Sequence, residues 1–557
     1  MRSSSLDETD MGPSATTLSD RGQRRVFVVA AVASVLIRVF FWVYTDRVWE
    51  DCLITTRHAE NAALGNGLTH HPAHGAPVHG FTSPISVLVP LLGELIVRGA
   101  GLATQRIATL IATLITMSLA YRIARHPDVD LAPVGTAFFL GYLALEHHQI
   151  LFGMAGMETQ CIVAITLFGM WQFLTRQTVG MGVACGLALW GRPDGVVLIL
   201  ATVCALLMSR QWRRCVAVIL LAVVVIAPWL IFTTAYYGSP VPNTIVAKST
   251  VYSGFFFDEP GFSAWWERWG SALLARADNL RIWLSPSFGG MGAGTINFVR
   301  GARPIQAMFV TVLLIGGVAM LRNSRARMIP IYVFGFFAYL VIMVPVAGAW
   351  YLPPWLGACA LVFAGGIEIL CRARFRIVRL GSSLAAVGLL CLYVVALTRT
   401  IPAERIIQRA VEDDVRTRSA KWLAEHSEVD EWIGCECLGY FGYYSNRPIL
   451  DFPGLACPRS VNALRRLPKS RRDLPGLIAS ERPEWIALRP WELRQLSQAY
   501  PDVRSVYRER QRFTADSKSL ERVVELLWLT NAEILVDREF ILLQRTSDNS
   551  GTDASGP

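Results

Sequence analysis

Long apolar stretches recur between residues 25 and 397 of this chain, and short connections that carry arginine separate them. A helix that crosses a bilayer needs roughly 20 such residues. The chain is 53% hydrophobic and 17% charged, whereas soluble proteins carry about 25% charged residues. The pattern predicts a polytopic α-helical membrane protein. The twelve candidate segments are 25–44, 84–97, 105–121, 131–150, 158–175, 178–191, 194–208, 215–236, 304–321, 328–345, 352–371 and 377–397.

The arginines indicate which segments cross the bilayer, because short cytoplasmic loops are enriched in Lys and Arg. All arginine-rich connections fall on one side if the chain starts in the cytoplasm and segment 84–97 does not cross. That segment is short and contains Pro90 and Glu94, so we predict a re-entrant helix there. About 11 transmembrane helices remain. The connections concerned carry Arg122, Arg125, Arg176, Arg210, Arg213, Arg214, Arg322, Arg325, Arg327, Arg372, Arg374, Arg376 and Arg379.

The same arrangement of arginines predicts a multi-pass protein with a cytoplasmic N-terminus and two long outer loops, 45–103 and 238–303. We expect it in the plasma (inner) membrane. After about residue 400 the chain becomes rich in charge, with a helix-like stretch at 411–425 and strand-like runs at 485–488 and 540–543. About 150 residues suffice for a small domain with its own core. We therefore predict a C-terminal soluble α/β domain outside the membrane. The predicted division is a disordered cytoplasmic tail (1–24), a transmembrane domain (25–400), an extracytoplasmic domain (401–545) and a second disordered tail (546–557).

Two adjacent carboxylates, Glu50 and Asp51, follow the end of the first span. A general base must lie within hydrogen-bond reach of the hydroxyl that it deprotonates, and a carboxylate partly withdrawn from water is the stronger base. Acidic residues also favour helix N-termini, so the pair could instead cap a surface helix predicted over 53–64. Position alone leaves both interpretations open. Arg57 and Asn61 lie on polar positions of that helix.

Further charged residues are expected on the same outer face. Glu158 begins a span, where a carboxylate is costly unless it has a partner or a function. Arg192 and Asp194 flank a Pro-Gly break and could simply satisfy each other. Lys248 follows the span at 215–236, and such a lysine either snorkels to the interface or meets a phosphate.

Histidines and cysteines form no recognisable metal motif. Four histidines crowd the first outer loop, and their spacing favours solvated turn residues over metal ligands. Three cysteines lie in the polar C-terminal region, where a disulfide and free thiols stay equally open. No cofactor or metal site is predicted, although a divalent metal stays compatible with the sequence. The net charge of +10 reflects loop arginines and does not indicate nucleic-acid binding. These residues are His70, His71, His74 and His79, and Cys435, Cys437 and Cys457.

Short motifs follow the acidic pair in a fixed order along the chain. They are Ile54-Thr55-x-Arg57-x-x-Glu60-Asn61-x-x-x-Gly65-x-Gly67-Leu68, Gly80-Phe81-Thr82-Ser83-Pro84, Gly156-Met157-Glu158-Thr159, Arg192-Pro193-Asp194-Gly195, Tyr237-Gly238-x-Pro240-x-Pro242-Asn243-Thr244-x-x-Ala247-Lys248, Gly439-Tyr440-Phe441-Gly442-Tyr443-Tyr444-Ser445 and Leu450-Asp451-Phe452-Pro453-Gly454-Leu455. The ordered set resembles the GT-C superfamily of membrane glycosyltransferases. Within it, the set is most similar to the arabinofuranosyltransferases of mycobacterial cell-wall synthesis.

The resemblance implies an inverting enzyme that uses a polyprenyl-phosphate sugar on the extracytoplasmic side. It also implies that the Glu50-Asp51 pair supplies the general base, and we expect Asp51 to act with help from Glu50. Members usually carry Glu where this chain has His79, so the resemblance does not fix the substrate preference. The residues expected to bind substrate are Glu158, Arg192, Asp194, Asn243, Lys248, Arg57, Asn61 and His79.

The predicted function is transfer of arabinofuranose or a hexose from a polyprenyl-phosphate donor to a cell-envelope glycan or lipid. The expected partners are the bilayer, this donor and this acceptor. The alternative is a polytopic transporter or flippase of lipid-linked glycans. A transporter would show inverted repeats and charges at mid-membrane. The sequence shows no repeat, and its notable charges gather at one face, which favours the enzyme.

Overall fold

The computed structural model describes residues 15–252, 303–342, 348–529 and 535–546. The outer parts of both predicted tails (1–14 and 547–557), and 253–302 of the second outer loop, lie outside these residues. The helices are α1 (Ala15–Thr45), α2 (Glu50–Ala63), α3 (Pro84–Ile96), α4 (Gly101–Ala124), α5 (Pro133–Leu145), α6 (His147–Met154), α7 (Thr159–Leu174), α8 (Thr178–Gly191), α9 (Val196–Met208), α10 (Trp212–Tyr237), α11 (Asn243–Val251), α12 (Arg303–Arg322), α13 (Met328–Ile342), α14 (Pro353–Cys371), α15 (Arg376–Ile407), α16 (Arg418–His426), α17 (Leu438–Ser445), α18 (Pro458–Arg466), α19 (Leu474–Glu481), α20 (Pro490–Ala499), α21 (Pro501–Ser505) and α22 (Ser517–Leu526). The strands are β1 (Ile433–Cys435), β2 (Ile449–Asp451), β3 (Trp485–Leu488), β4 (Tyr507–Thr514) and β5 (Glu539–Arg545).

Most of the helices that begin before residue 400 are apolar, and together they form the membrane part of the protein. Five described helices are long and apolar enough to cross a bilayer, and six shorter apolar helices accompany them. Many of their large apolar side chains are exposed, as lipid-facing helices require. The chain is thus a helical membrane protein, while the number of crossings and their orientation stay predictions. Helix α1 begins at Ala15, so part of the predicted disordered tail is helical.

The segment predicted as one span over 131–150 consists of two helices. Helix α5 ends at Leu145, and the carboxylate of Glu146 accepts hydrogen bonds from the backbone N–H groups of His148 (3.0 Å) and Gln149 (2.8 Å) to start α6. The last carbonyls of α5 bond to the guanidinium of Arg38, which lies in the middle of α1. The break was not visible as a loss of hydrophobicity, because α6 is itself apolar.

The segment predicted as re-entrant corresponds to α3, and it carries a carboxylate for a local reason. Glu94 accepts hydrogen bonds from the backbone N–H groups of Gly99 and Gly101, both at 2.7 Å. It therefore satisfies donors at the start of α4, which would otherwise lack partners. Helix α3 packs between α2 and α4 and holds α2 beside the membrane helices.

Beyond residue 426 the chain forms a five-stranded sheet in the order β2-β1-β3-β5-β4, surrounded by helices. Strand β1 pairs in parallel with β2 and β3, while β5 pairs antiparallel with β3 and β4. The predicted strand-like runs at 485–488 and 540–543 coincide with β3 and the middle of β5. No break marks the predicted domain boundary at 400, since α15 continues through a π-helical stretch (Gln408–Thr417) into α16.

Candidate active site

The two neighbouring carboxylates at the start of α2 have different surroundings. Glu50 forms an ion pair with Arg416 and accepts a hydrogen bond from the backbone N–H of Gly439 at 3.2 Å. Both partners belong to the segment that leads into and forms the sheet-bearing part, so Glu50 ties α2 to that part. By contrast, no described residue forms a hydrogen bond or a close ion pair with the carboxylate of Asp51.

Asp51 instead lies near four other charged side chains. Burial raises the pKa of its carboxyl group, while the positive charges of Lys248 and Arg192 oppose that increase and the negative charge of Glu436 adds to it. Glu158 is close as well. Burial raises the pKa of its carboxyl group, and the negative charge of Asp51 adds to that increase. The structure therefore brings together residues that are far apart in the sequence, from position 51 to position 436. A half-buried carboxylate with a raised pKa and no direct partner has the properties of a general base.

The guanidinium of Arg192 is held by several contacts. Its Nη1 donates to the carbonyl of Trp350 at 2.7 Å, its Nε lies 3.3 Å from Asp194 Oδ1, and its guanidinium stacks on the ring of Tyr351 at 4.0 Å. The predicted Arg192–Asp194 pair is thus present. It is incomplete, however: Arg192 Nη2 and both carboxylate oxygens of Asp194 are buried without a hydrogen bond from the part of the chain that is described. Fixed polar atoms of this kind are ready for a ligand.

Lys248 is presented by α11, whose position depends on Asn243. The side-chain amide of Asn243 donates to the carbonyls of Gly454 (2.7 Å) and Leu455 (3.1 Å), and its backbone N–H donates to His79 O at 2.9 Å. The loop that carries these two carbonyls is wound around the buried carboxylate of Asp451, which accepts three of its backbone N–H groups. Asn243 was predicted to bind substrate, and its observed bonds give it a structural role. The exposed Lys248 remains available at the site.

Two further predicted substrate ligands, Arg57 and Asn61, are occupied by protein contacts. Arg57 pairs with Glu60 at 3.2 Å and bonds to the side chain of Asn446. The amide of Asn61 donates to the carbonyls of Thr69 (3.0 Å) and His70 (2.8 Å), which folds the loop after α2 back onto the helix. Both residues position α2 and its loop.

His79 is buried between aromatic rings. Its imidazole stacks on Tyr237 at 4.7 Å and lies edge-on to Phe81, and neither ring nitrogen is bonded to a described residue. Burial lowers the pKa of His79 to about 4, and that of His58 likewise to about 4. The side chain of His74 lies outside the described residues. The other three histidines predicted in the first loop, His70, His71 and His79, are buried rather than solvated, so the expectation of solvated turn residues was wrong for them. They close the loop against α10.

All 11 cysteines are in the described ranges and are free thiols, including Cys435, Cys437 and Cys457. Within those ranges, His, Cys, Asp and Glu side chains form no group able to hold a metal ion.

Sequence reasoning missed the contribution of the C-terminal region to the site. Glu436 influences Asp51, Arg416 holds Glu50, and both lie in stretches with no recognisable motif. The motif at 439–445 gave a partial signal, because its glycine at 439 lets α17 approach α2. A Cβ on Gly439 would come within 2.3 Å of the backbone oxygen of Glu50.

The chain is similar to several known proteins. Residues 405–532 match the family DUF8728, described as a domain of unknown function. A terminal β-(1→2)-arabinofuranosyltransferase of Corynebacterium glutamicum is 24% identical over 370 residues, which cover 58% of this chain and 53% of that protein. The chain thus spans about half the length of the curated relative that it matches.

Two solved structures extend the likeness to nearly the whole chain. ArnT from Cupriavidus metallidurans, bound to undecaprenyl phosphate, has a TM-score of 0.53 at 13% identity and covers 94% of this chain and 99% of its own. The archaeal oligosaccharyltransferase AglB from Archaeoglobus fulgidus, bound to an inhibitory peptide and a dolichol-phosphate, has a TM-score of 0.55 at 12% identity, with coverages of 89% and 74%. The chain therefore has the fold of the GT-C membrane glycosyltransferases, and the resemblance to that superfamily seen in the sequence is confirmed.

Proposed function

We propose that this protein transfers a sugar from a polyprenyl-phosphate donor to a hydroxyl group of a cell-envelope glycan or lipid, on the extracytoplasmic face. The observation that carries the proposal is Asp51, a carboxylate with a raised pKa that has no close partner among the described residues and faces two cations. The lipid phosphates bound by ArnT and AglB support a polyprenyl-phosphate donor. The name of the Corynebacterium relative makes arabinofuranose the first sugar to test.

In the proposed reaction Asp51 accepts the proton of the acceptor hydroxyl. The acceptor oxygen attacks the anomeric carbon and forms the new glycosidic bond, while the bond from that carbon to the phosphate oxygen breaks with inversion. Polyprenyl phosphate leaves with the electron pair. Lys248 and the unpaired Nη2 of Arg192 compensate its negative charge, and fixed cations of this kind supply the largest catalytic term in many enzymes. Glu158 would orient a sugar hydroxyl.

Glu50 takes a different part in this proposal from the one its sequence position suggests. Its carboxylate is committed to Arg416 and to the backbone of Gly439. We therefore assign it to holding α2 in place and not to proton transfer. Asn243, Arg57 and Asn61 are assigned to the same positioning task, because their polar groups already have protein partners.

The test compares purified wild type, Asp51→Asn and the matched control Asp46→Asn. Asp46 is five residues away and its side chain is 78% exposed, so its ion pair with Arg106 (2.9 Å) is open to solvent on the carboxylate side. Each protein is incubated with polyprenyl-phosphate arabinose or polyprenyl-phosphate mannose and an oligosaccharide acceptor, and released polyprenyl phosphate and extended glycan are measured. We expect turnover by wild type and by Asp46→Asn, and its loss in a folded Asp51→Asn protein. Equal turnover by all three would refute Asp51 as the base. No turnover with any donor would favour the transporter alternative.

A further inference from the structure

The sheet directs the carboxyl ends of its three parallel strands toward the membrane part of the protein. The residue after β1 is Glu436, the loop after β2 carries the carbonyls that bind Asn243 of α11, and the residue after β3 is Arg489. Shortly after β1, the N–H of Gly439 bonds to Glu50, beside Asp51. Open sheets with parallel strands bind ligands in the crevice outside these carboxyl ends. In this protein the loops after β1 and β2 contact Glu50 of α2 and Asn243 of α11, the two helices that carry Asp51 and Lys248.

Glu436 is fixed in place by the residues around it. Its Oε2 accepts a hydrogen bond from Arg489 Nη2 at 2.7 Å. Arg489 in turn is held by Glu492 at 2.7 Å and by Asp537 at 2.6 Å. A carboxylate anchored through one oxygen by a rigid, planar guanidinium keeps a defined orientation.

The second oxygen of Glu436, Oε1, has no hydrogen bond from the residues that the structure describes. The side chain is 45% exposed. The negative charge of Glu436 adds to the increase in the pKa of Asp51. It also adds to the increase in the pKa of the phenol of Tyr252, which lies just after α11. Tyr252 is half-buried and lies one helical turn after Lys248, because its backbone N–H donates to the carbonyl of Lys248 at 2.8 Å.

We propose that Glu436 and Tyr252 form a subsite for the glycan acceptor, in which Glu436 Oε1 accepts a hydrogen bond from a sugar hydroxyl next to the one that Asp51 deprotonates. The ring of Tyr252 packs against the apolar face of the same sugar. The inference rests on the proposed transferase function and adds that the C-terminal domain selects the acceptor. It also gives that domain a role beyond packing on the membrane helices.

The first test separates acceptor from donor recognition. Glu436→Gln, Glu436→Ala and Tyr252→Ala are compared with wild type and with Glu425→Gln, a control at an exposed carboxylate of α16. We expect the KM for the oligosaccharide acceptor to rise about tenfold or more in Glu436→Ala, as loss of a hydrogen bond to a charged group implies. The KM for the donor should change by less than about twofold. An unchanged acceptor KM, or an equal rise in the donor KM, would overturn the proposal.

Two further readouts keep this result distinct from a failure of the proposed function or of folding. Removing the negative charge of Glu436 should move the acidic limb of the pH–rate profile to lower pH in both Glu436 variants, because Asp51 then faces only Glu158 beside Lys248 and Arg192. A purely structural defect leaves the limb in place. Binding of the oligosaccharide alone, measured by calorimetry, does not require turnover. If wild type transfers no sugar, equal binding by wild type and Glu436→Ala refutes the subsite, and weaker binding by the variant supports it.

Discussion

Two regions of this protein bury acidic and basic side chains together, and they differ in how completely these charges are satisfied. We call the first region the ion-pair network. The second region, the Asp51 site, consists of Asp51, Glu158, Arg192, Asp194 and Lys248. In the network the oppositely charged atoms lie 2.6 to 3.6 Å apart, except in the closer Arg416–Glu50 pair, and one arginine serves several carboxylates. The network contains Arg47, Arg416 and Arg489 with Glu50, Glu404, Glu412, Glu436, Glu492 and Asp537.

The charged side chains of the Asp51 site are paired less completely. Within it the Arg192–Asp194 pair is the close contact between described residues, and even there three polar atoms have no hydrogen bond. Burying a charge is costly unless it is paired and hydrogen-bonded. The network meets this condition at all its described ion pairs, although the buried Nε of Arg416 has no hydrogen bond to a described residue, and it joins α1, α15 and the sheet. The Asp51 site does not meet it, which is expected where a substrate supplies the missing partners.

The adjacent residues Glu50 and Asp51 give the sharpest test of this comparison. We expect Asp51→Asn to lower kcat by about 10²- to 10⁴-fold, since a general base contributes that much. Its unfolding midpoint in detergent should stay near that of wild type. Glu50→Gln should instead keep most of its kcat and lose about 1–2 kcal/mol of stability, because the buried Arg416 loses one partner. The reverse pattern would exchange the two roles.

The network itself can be broken at Arg416. Arg416→Met leaves Glu50, Glu412 and Asp537 with one cation fewer, and removing one partner of a buried ion pair costs about 3–5 kcal/mol. Thermal or denaturant unfolding in detergent measures the loss. Arg418→Met, at an exposed position two residues later, is the control and should cost less than about 1 kcal/mol. Similar losses in both variants would mean that the network does not stabilise the fold.

A smaller effect is expected from Lys248 at the Asp51 site. Its positive charge opposes the burial-driven increase in the pKa of Asp51, so Lys248→Met should raise that pKa further. Because the base must be deprotonated, the acidic limb of the pH–rate profile should move to higher pH, while Arg192, Glu158 and Glu436 still act on Asp51. Turnover should also fall by about 10²-fold as the leaving phosphate loses a cation. The profile of kcat/KM against pH, with the exposed Lys421→Met as control, measures both effects. A limb that does not move would place Lys248 outside the site.

The sequence predicts the features of this protein that depend on local composition. The apolar helices, α3 among them, and the strands around 485–488 and 540–543 follow from hydrophobicity and length. The charged residues Glu158, Arg192, Asp194 and Lys248 were predicted to lie at one membrane face, and in the structure their charges act on one another around Asp51.

Contacts between distant parts of the chain could not be predicted from these patterns. Glu50 and Asp51 look alike until Arg416, which lies 366 residues away, is seen to bind one of them. Asn243 resembles a substrate ligand until its bonds to a loop more than 200 residues away are known. The break at Glu146 depends on one side-chain cap within an apolar stretch. In each case the deciding partner leaves no mark on the local sequence.

His79 tests whether every unpartnered polar group near the Asp51 site serves the substrate. Its buried nitrogens lack partners in the described part of the chain, yet its ring is stacked on Tyr237 as a hydrophobic residue would be. The pKa of His79 is lowered to about 4 by burial, against about 6.5 in the unfolded chain. Between these values the unfolded chain binds the extra proton, so the stability contributed by neutral His79 falls as the pH drops from 6.5 towards 4.

His79→Phe keeps the stacking and removes the titration. We expect the variant to be more stable than wild type by about 1–2 kcal/mol at pH 5 and nearly equal to it at pH 8, as measured by unfolding in detergent. Buried His58 keeps its own pH dependence in both proteins. Turnover at pH 8 should stay within about threefold of wild type if His79 only packs the loop against α10. A loss of turnover at pH 8 without a loss of stability would return His79 to the substrate ligands, and it would extend the Asp51 site to the first-loop histidines.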